Sequence, residues 1–284
     1  MAFAQLSKVR LEYFQHGHGP ERVVLIHGFQ ASAPIWRLVQ EALPADRYTS
    51  IAINNRGAGG SEAPPREEDF SVQIFAADAF ELVTQLGWRD FTLVGHSLGG
   101  ATVAQFAVDH PTLIKGLVLL DPSDPDGRPL PADGPSLDEL IERRMAARRE
   151  QQARGGGGDG ILAADMARAS DVVRKVASDM REAPERRLRG SMRSMFEIRL
   201  GERVKTLPMP VLMAAGDADE LIPIRTMLAT WAKYPAGTGL HIWHGAGHSP
   251  NLDTPVEVAE VLQRFIETTV PARAKAGSDA VAAG

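Results

Sequence analysis

The chain has 284 residues, of which 44% are hydrophobic and 24% charged, so it can bury the core of one α/β domain carrying an insertion. Its net charge of −5 gives no general attraction to nucleic acid or anionic lipid. Because it has no cysteine, disulfides, thiolate catalysis and cysteine-bound zinc are excluded. The first residues lack the basic and apolar segments typical of a leader peptide, and no apolar run approaches the roughly 20 residues of a membrane helix. We therefore expect a cytoplasmic protein that binds neither membrane nor nucleic acid.

Short apolar runs alternate with helical patterns in the first third of the chain. Residues 9–13 alternate apolar and polar side chains and predict an edge strand. The continuous aliphatic run at 23–26 predicts a central parallel strand buried on both faces, and 48–53 predict the next strand. Apolar residues at helical spacing predict helices over 34–43 and 72–86.

Two polar stretches in this region are weak candidates for binding sites. His16 and His18 lie in a predicted turn without further ligands nearby, which favours solvated histidines over a metal site. The glycine-rich residues 54–61 lack the spacing of a phosphate-binding loop, and we expect Arg56 to order this loop through backbone carbonyls. We therefore expect neither a metal nor a cofactor.

Residues 91–100 predict an apolar strand that runs directly into a helix through a tight turn. The segment from Gly95 to Gly99 fits the pattern G-x-S-x-G with Ser97 at its centre. The glycines let strand and helix approach closely, while the serine takes a strained conformation. This context favours a nucleophile at Ser97 over a purely structural turn.

A second turn follows the strand predicted at 23–26. Gly28 lets the backbone bend toward the elbow, so that the amide of Phe29 can point at the same space as the amide of Leu98. Two amides that converge in this way would form an oxyanion hole. The alternative is that Gly28 is only a turn glycine, and we expect His27 to be structural rather than catalytic.

The alternation of strands and helices stops after the strand predicted at 116–120. Residues 122–204 contain no convincing strand and are predicted to form a helical cap inserted after the strand at 116–120. Its predicted helices cover 137–154, 161–180 and 184–200, and the glycine run at 155–160 separates the first two as a disordered loop or a hinge. Its many arginines predict solvated helix faces with internal ion pairs rather than an anion-binding surface, and a few of its methionines are expected to line a pocket roof.

The parallel pattern returns near the C-terminus. The strand predicted at 210–215 leads to Asp217 and Asp219, and the one at 240–243 leads to a loop containing His248. Helices are predicted at 224–231 and 255–268. The predicted organisation is therefore a core of residues 1–121 and 205–270, a cap of residues 122–204 and a disordered tail of residues 271–284.

Ser97, Asp219 and His248 each follow a predicted strand, in the order nucleophile, acid, histidine. With these residues, the sequence resembles the α/β-hydrolase family over nearly all of residues 9–268. The motifs that carry the resemblance are the His27-Gly28 turn, the Gly57 to Ser61 loop, the elbow at Gly95 to Gly100, the Gly216 to Asp219 segment with Pro223, and Gly247-His248.

The resemblance implies an α/β fold with a doubly wound, mostly parallel sheet and an inserted helical cap. It also implies that Ser97 is the nucleophile, His248 the general base and acid, and Asp219 the acid that orients the histidine. The amides of Phe29 and Leu98 would form the oxyanion hole.

Other residues compete for two of these roles. Asp217 ranks second as the acid and Asp121, after the sixth strand, ranks third. His241 lies inside a predicted strand, and His244 precedes the glycines that carry the loop toward the site, so both are weaker candidates for the base. His96 is expected to pack beneath the elbow.

The resemblance implies a serine hydrolase that cleaves a carboxylic ester or lactone of a small apolar substrate through an acyl-enzyme on Ser97. Haloalkane dehalogenases and many epoxide hydrolases of this fold need an aspartate at that position and are disfavoured. Hydrolysis of C–C bonds, perhydrolysis of the haloperoxidase kind and cofactor-free oxygenation remain open, as does a ligand-binding receptor without turnover. A homodimer is possible.

Overall fold

The computed structural model describes residues 1–130, 132–153 and 170–270 and is built around an eight-stranded sheet. The strands are β1 (Ala2–Gln5), β2 (Arg10–Gly17), β3 (Glu21–Ile26), β4 (Tyr48–Ile53), β5 (Phe91–His96), β6 (Ile114–Leu120), β7 (Val211–Gly216) and β8 (Gly239–Trp243). Their order across the sheet is β1-β2-β4-β3-β5-β6-β7-β8. β2 is antiparallel to both of its neighbours, and all other pairings are parallel.

Helices cover both faces of this sheet. They are α1 (Arg37–Ala42), α2 (Val72–Gln85), α3 (Leu98–Asp109), α4 (Leu137–Ala153), α5 (Asp171–Glu182), α6 (Glu185–Glu197), α7 (Glu202–Lys205), α8 (Ile224–Trp231), α9 (Pro250–Asp253) and α10 (Pro255–Thr268). Buried residues of α2, α3 and α8 belong to one hydrophobic core, and buried residues of α1 and α10 belong to the other. The sheet therefore separates two cores.

β3 shows how the sequence produces this arrangement. Val24 and Ile26 face the core formed with α2 and α3, while Val23 and Leu25 face the core formed with α1 and α10. All four side chains are fully buried, as expected for a parallel strand with helices on both sides. The predicted doubly wound, mostly parallel α/β fold is confirmed.

The prediction of an edge strand at residues 9–13 is wrong. These residues belong mainly to β2, which lies inside the sheet because β1 pairs with its outer side. The short β1 alternates small and larger side chains and buries only Ala4, so its pattern is weak. β2 also continues to Gly17, and His16 is therefore in a strand rather than in a turn.

Between β6 and β7 the described helices are α4 to α7, joined by loops. α4 packs against α6 through Ile141, Met145 and Leu188. Ion pairs also join them, with Arg189 at 2.6 Å from Glu142. The predicted glycine joint at 155–160, the first part of the helix predicted at 161–180 and the predicted tail at 271–284 lie outside the described residues.

No helix in the described ranges combines the length and the apolar character that crossing a bilayer requires.

Candidate active site

A cavity of about 310 Å³ lies where β5 ends and the loops after β3, β7 and β8 meet. In an open parallel sheet this edge, at the carboxyl ends of the strands, is where ligands bind. Most of its wall is apolar, and α5 and α6 contribute residues that include Met180, Met192, Met195 and Phe196. The remaining lining residues are Phe29, Gln30, Ala31, Ile35, His96, Ser97, Ser123, Arg128, Arg144, Val176, Leu221, Ile222, His248, Ser249 and Leu252.

Ser97 lies at the turn between β5 and α3 in a strained conformation, with φ 54° and ψ −117°. A non-glycine residue with positive φ is uncommon and costs energy, so the surrounding structure must hold it. The amide of Ser97 donates to Leu120 (2.9 Å), and its carbonyl accepts from the amide of Ser123 (3.0 Å). A Cβ on Gly95 would lie 2.2 Å from the carbonyl oxygen of Gly99, which explains the glycine there.

Asp219 and His248 form a buried pair behind the cavity wall. Nδ1 of His248 lies 2.6 Å from Oδ2 of Asp219, whose side chain is 0% exposed. Oδ1 of Asp219 accepts from the amides of Leu221 (2.7 Å) and Ile222 (3.0 Å). Burial opposes ionisation of Asp219, but the bond from His248 and the two amides outweigh burial and hold its pKa below the usual value.

Ser97 and His248 both line the cavity. Within the described residues, no hydrogen bond of normal geometry yet joins the Ser97 hydroxyl to the imidazole. Such bonds are often long in ligand-free enzymes and shorten when substrate binds. The two groups therefore line one cavity without a hydrogen bond between them.

His96 holds the loop that carries His248. Its Nε2 lies 2.7 Å from the carbonyl oxygen of His248, and the ring packs edge-on to Trp36. Burial, followed by the nearby His248, lowers the pKa of His96 to about 3, so the ring is neutral. Because the carbonyl only accepts, the neutral ring donates through Nε2–H. The expected packing of His96 beneath the elbow is thus combined with a specific hydrogen bond.

The amides of Phe29 and Leu98 lie on the two segments that flank Ser97. In the described part of the chain neither amide donates a hydrogen bond to another residue, and Leu98 is the first residue of α3, where helix amides have no internal partner. His27 supports this turn from below, accepting from the amide of Asn55 (3.2 Å) while its Nδ1 lies 2.8 Å from the Gly28 carbonyl. The two amides therefore lack a described partner, and their role as an oxyanion hole stays a prediction.

The protein-family model described as the alpha/beta hydrolase fold matches residues 21–255 of the chain. The chain belongs to the α/β-hydrolase fold family. This hydrolase is 29% identical to an uncharacterised protein of Mycobacterium tuberculosis over 272 residues, which cover 90% of the chain and 78% of that protein. It is 39% identical to a fluoroacetate dehalogenase of a Burkholderia species, over only 37% of the chain and 35% of that protein.

Solved structures also resemble the fold of this hydrolase. A thermophilic esterase from Thermogutta terrifontis matches with a TM-score of 0.74 at 23% identity, over 93% of the hydrolase and 95% of the esterase. At this level of identity the likeness concerns the fold.

The competing residues of the hydrolase are placed elsewhere. Asp217 pairs with His244 at 2.7 Å, and the His244 side chain is 99% exposed, so this pair lies on the surface. His241 is in β8 and packs against Trp243. None of the three lines the cavity.

Asp121, the third candidate for the acid, lies beside the buried pair. One oxygen of Asp121, one of Asp219 and one ring nitrogen of His248 all lie within 4.8 Å of one another. Such a set could in principle hold a metal ion. However, both oxygens of Asp219 already accept hydrogen bonds, so the arrangement suits a chain of hydrogen bonds better than metal ligation.

Arg187 of the hydrolase differs from the solvated arginines expected between β6 and β7. It is 2% exposed, and its Nη2 donates to the carbonyl of Ala31 (2.9 Å), two residues after Phe29. The sequence does not show that Arg187, unlike the neighbouring arginines, is buried, because its burial depends on how α6 packs over the loop after β3. Arg187 therefore connects α6 to the segment that presents the Phe29 amide.

Arg56 also binds differently from the prediction. Instead of backbone carbonyls, it contacts both carboxylate oxygens of Asp78 on α2, at 2.6 and 2.7 Å. Both side chains are less than a tenth exposed. Arg56 is therefore held by a buried ion pair with α2.

Proposed function

We propose that this α/β hydrolase is a serine-dependent carboxylic ester hydrolase that acts on small apolar esters or lactones. The observation that carries the proposal is that Ser97 and His248 line the same cavity, with Asp219 hydrogen-bonded to His248 from behind. A serine hydroxyl needs a base within reach, and the base needs an acid that fixes its tautomer.

The proposed reaction begins when Oγ of Ser97 attacks the substrate carbonyl and Nε2 of His248 takes the hydroxyl proton. Asp219 accepts the Nδ1–H bond and stabilises the imidazolium that forms. The amides of Phe29 and Leu98 receive the negative oxygen of the tetrahedral intermediate. When that intermediate collapses, His248 gives its proton to the departing alkoxide and the acyl group stays on Ser97.

Water completes the cycle. His248 removes one of its protons, the resulting hydroxide attacks the acyl carbonyl, and the ester bond to Ser97 breaks. The proton returns to Oγ of Ser97 and the carboxylic acid leaves. For a lactone, the alkoxide and the acid belong to one hydroxy acid.

The serine argues against the chemistry named for the Burkholderia relative. If a hydroxyl displaced a halide or opened an epoxide, the enzyme would be left as an ether, which water does not cleave under mild conditions. A carboxylate nucleophile forms an ester, which can be hydrolysed. Ser97 is therefore suited to acyl transfer.

The cavity supports a small apolar acyl or alcohol group. It measures about 310 Å³, at the lower end of typical ligand pockets, and its wall is largely aliphatic and aromatic. Met180, Met192 and Met195 give this wall an adaptable surface. The helices between β6 and β7 would thus act as the cap of the substrate pocket.

The test is covalent labelling followed by turnover. A fluorophosphonate probe should add to Ser97, as located by mass spectrometry of peptides, and a panel of p-nitrophenyl esters and lactones of graded size should be hydrolysed. Ser97→Ala should abolish both labelling and turnover. Full turnover by Ser97→Ala would overturn the proposal, and ligand-induced stabilisation without product release would instead indicate a receptor.

A further inference from the structure

Asp121 follows β6 and is held tightly by the backbone around it. Its side chain is 0% exposed, and its φ of 41° is unusual for a residue other than glycine. Its amide donates to the carbonyl of Ala214 on β7 (2.9 Å), and Leu120 before it accepts from the amide of Ser97. The position of Asp121 is therefore fixed from both sides, by β7 and by the elbow.

The two oxygens of the Asp121 carboxyl group have different surroundings. Oδ1 accepts from the amide of Gly216 (3.1 Å), whereas Oδ2 is buried and no described N–H or O–H donor reaches it. An oxygen of the Asp121 carboxyl group instead lies within 4.8 Å of an oxygen of the Asp219 carboxyl group. An ionised Asp121 would leave Oδ2 as an unsatisfied buried anion beside a second anion.

Two neighbouring buried carboxyl groups cannot both be ionised without a large electrostatic cost. Asp219 is the better anion, because it accepts from His248 and from two amides. Asp121 has one amide, and burial together with the nearby Asp219 raises its pKa to about 9. Among the described residues, His248 completes the set of titratable groups that lie within 4.8 Å of one another. His96, which lies near His248 and Asp219, is neutral because its pKa is lowered to about 3.

We propose that Asp121 is a positioning residue that stays protonated at neutral pH and donates a hydrogen bond to Asp219. This role rests on the proposed function, since it concerns the acid that orients His248. The bond would add to those from Leu221 and Ile222 and hold the Asp219 carboxylate in the plane of the imidazole. This hydrogen bond would also stabilise the negative charge of Asp219 without adding a further charge to the site.

The first test measures the proton directly and needs no substrate. Infrared difference spectra at pH 7 between the wild type and Asp121→Asn should show the loss of one carboxylic acid C=O band. The same comparison with Asp217→Asn, a matched control in an exposed pair, should show only the loss of carboxylate bands. If Asp121→Asn also removes only carboxylate bands, the proposal is wrong.

The second test uses the pH dependence of ester hydrolysis. Asparagine keeps an acceptor for Gly216 and an N–H donor for Asp219, so Asp121→Asn should retain kcat within about threefold, with an unchanged acidic limb. If Asp121 were ionised, the same variant would remove a negative charge near His248 and move the acidic limb to lower pH. That shift would overturn the proposal.

Asp121→Leu separates positioning from simple packing. It removes the donor, so kcat should fall roughly 10- to 100-fold, the effect of losing a hydrogen bond to a charged group, while KM changes little. The acidic limb should move to higher pH, because Asp219 then carries its full charge next to His248. A merely structural role would lower stability in both variants and leave the acidic limb in place, and that result would contradict the proposal.

The two tests also distinguish this proposal from the proposed function. If the protein hydrolyses no ester and Ser97 resists labelling, the serine hydrolase is wrong, but the infrared band still decides the protonation of Asp121. If Ser97 is labelled and the band is absent, only the role of Asp121 fails.

Discussion

Replacing Asp219 by asparagine is the strongest test of the geometry around His248. Oδ1 of Asp219 accepts from the amides of Leu221 and Ile222, and these amides should orient the asparagine oxygen in the same way. The amide nitrogen of the asparagine must then face Nδ1 of His248, 2.6 Å away in the wild type. Because this nitrogen donates, it holds the imidazole in the tautomer that carries its proton on Nε2.

That tautomer cannot accept the proton of Ser97. Forcing the wrong tautomer in a Ser-His-Asp triad costs about 10⁴-fold in kcat, equivalent to about 5 kcal/mol of transition-state stabilisation. We expect KM for a small p-nitrophenyl ester to change little, since Asp219 is behind the cavity wall. The measurement is steady-state hydrolysis at pH 7 to 8, with thermal unfolding to confirm that the variant is folded.

Asp217→Asn is the matched control, because the same substitution then falls two residues away in the exposed pair with His244. It should retain activity within about twofold, as expected for a surface ion pair away from the cavity. If Asp219→Asn retained more than a tenth of wild-type kcat, or if Asp217→Asn lost as much, the assignment of Asp219 as the orienting acid would be refuted.

Three further predictions concern stability. Arg56→Met should lower the free energy of unfolding in urea by about 3–5 kcal/mol, because it leaves Asp78 as a buried charge, and adding Asp78→Leu should recover much of this loss. Burial lowers the pKa values of His27 and His96 to about 3, so both rings should take up protons only when the protein unfolds. The free energy of unfolding should therefore fall as the pH drops from about 6.5 toward 3. His27→Gln should make this fall less steep in urea titrations. Burial and the nearby Asp219 raise the pKa of Asp121 to about 9, so Asp121 keeps its proton when folded but loses it when unfolded above about pH 4. The stability of the wild type relative to Asp121→Asn should therefore decline as the pH rises from about 4 toward 9, and parallel curves would contradict this.

The fold could be predicted from the sequence because its central strands carry a strong signal. β3 and β5 bury every residue from Val23 to Ile26 and from Phe91 to His96, and most of these residues are apolar. The loops at the carboxyl ends of parallel strands meet at one edge, which is why Ser97, Asp219 and His248 could be placed together before any coordinates.

Features that depend on packing could not be predicted in the same way. The pattern of β1 is too short to distinguish from a loop, so β2 was expected at the edge of the sheet. Arg187 is buried because α6 crosses the loop after β3, and Arg56 meets Asp78 because α2 returns beneath the loop after β4. The partner of each arginine is set by a contact between segments far apart in the sequence, which the local sequence does not indicate.

The hydrogen bond from Arg187 to Ala31 has a consequence for engineering. The segment between β6 and β7 could be exchanged for that of a relative in order to change which esters the protein accepts. A graft without an equivalent arginine would also release the peptide that presents the Phe29 amide. Such chimeras should therefore lose turnover along with their original selectivity, unless the donor segment brings its own anchor for that carbonyl.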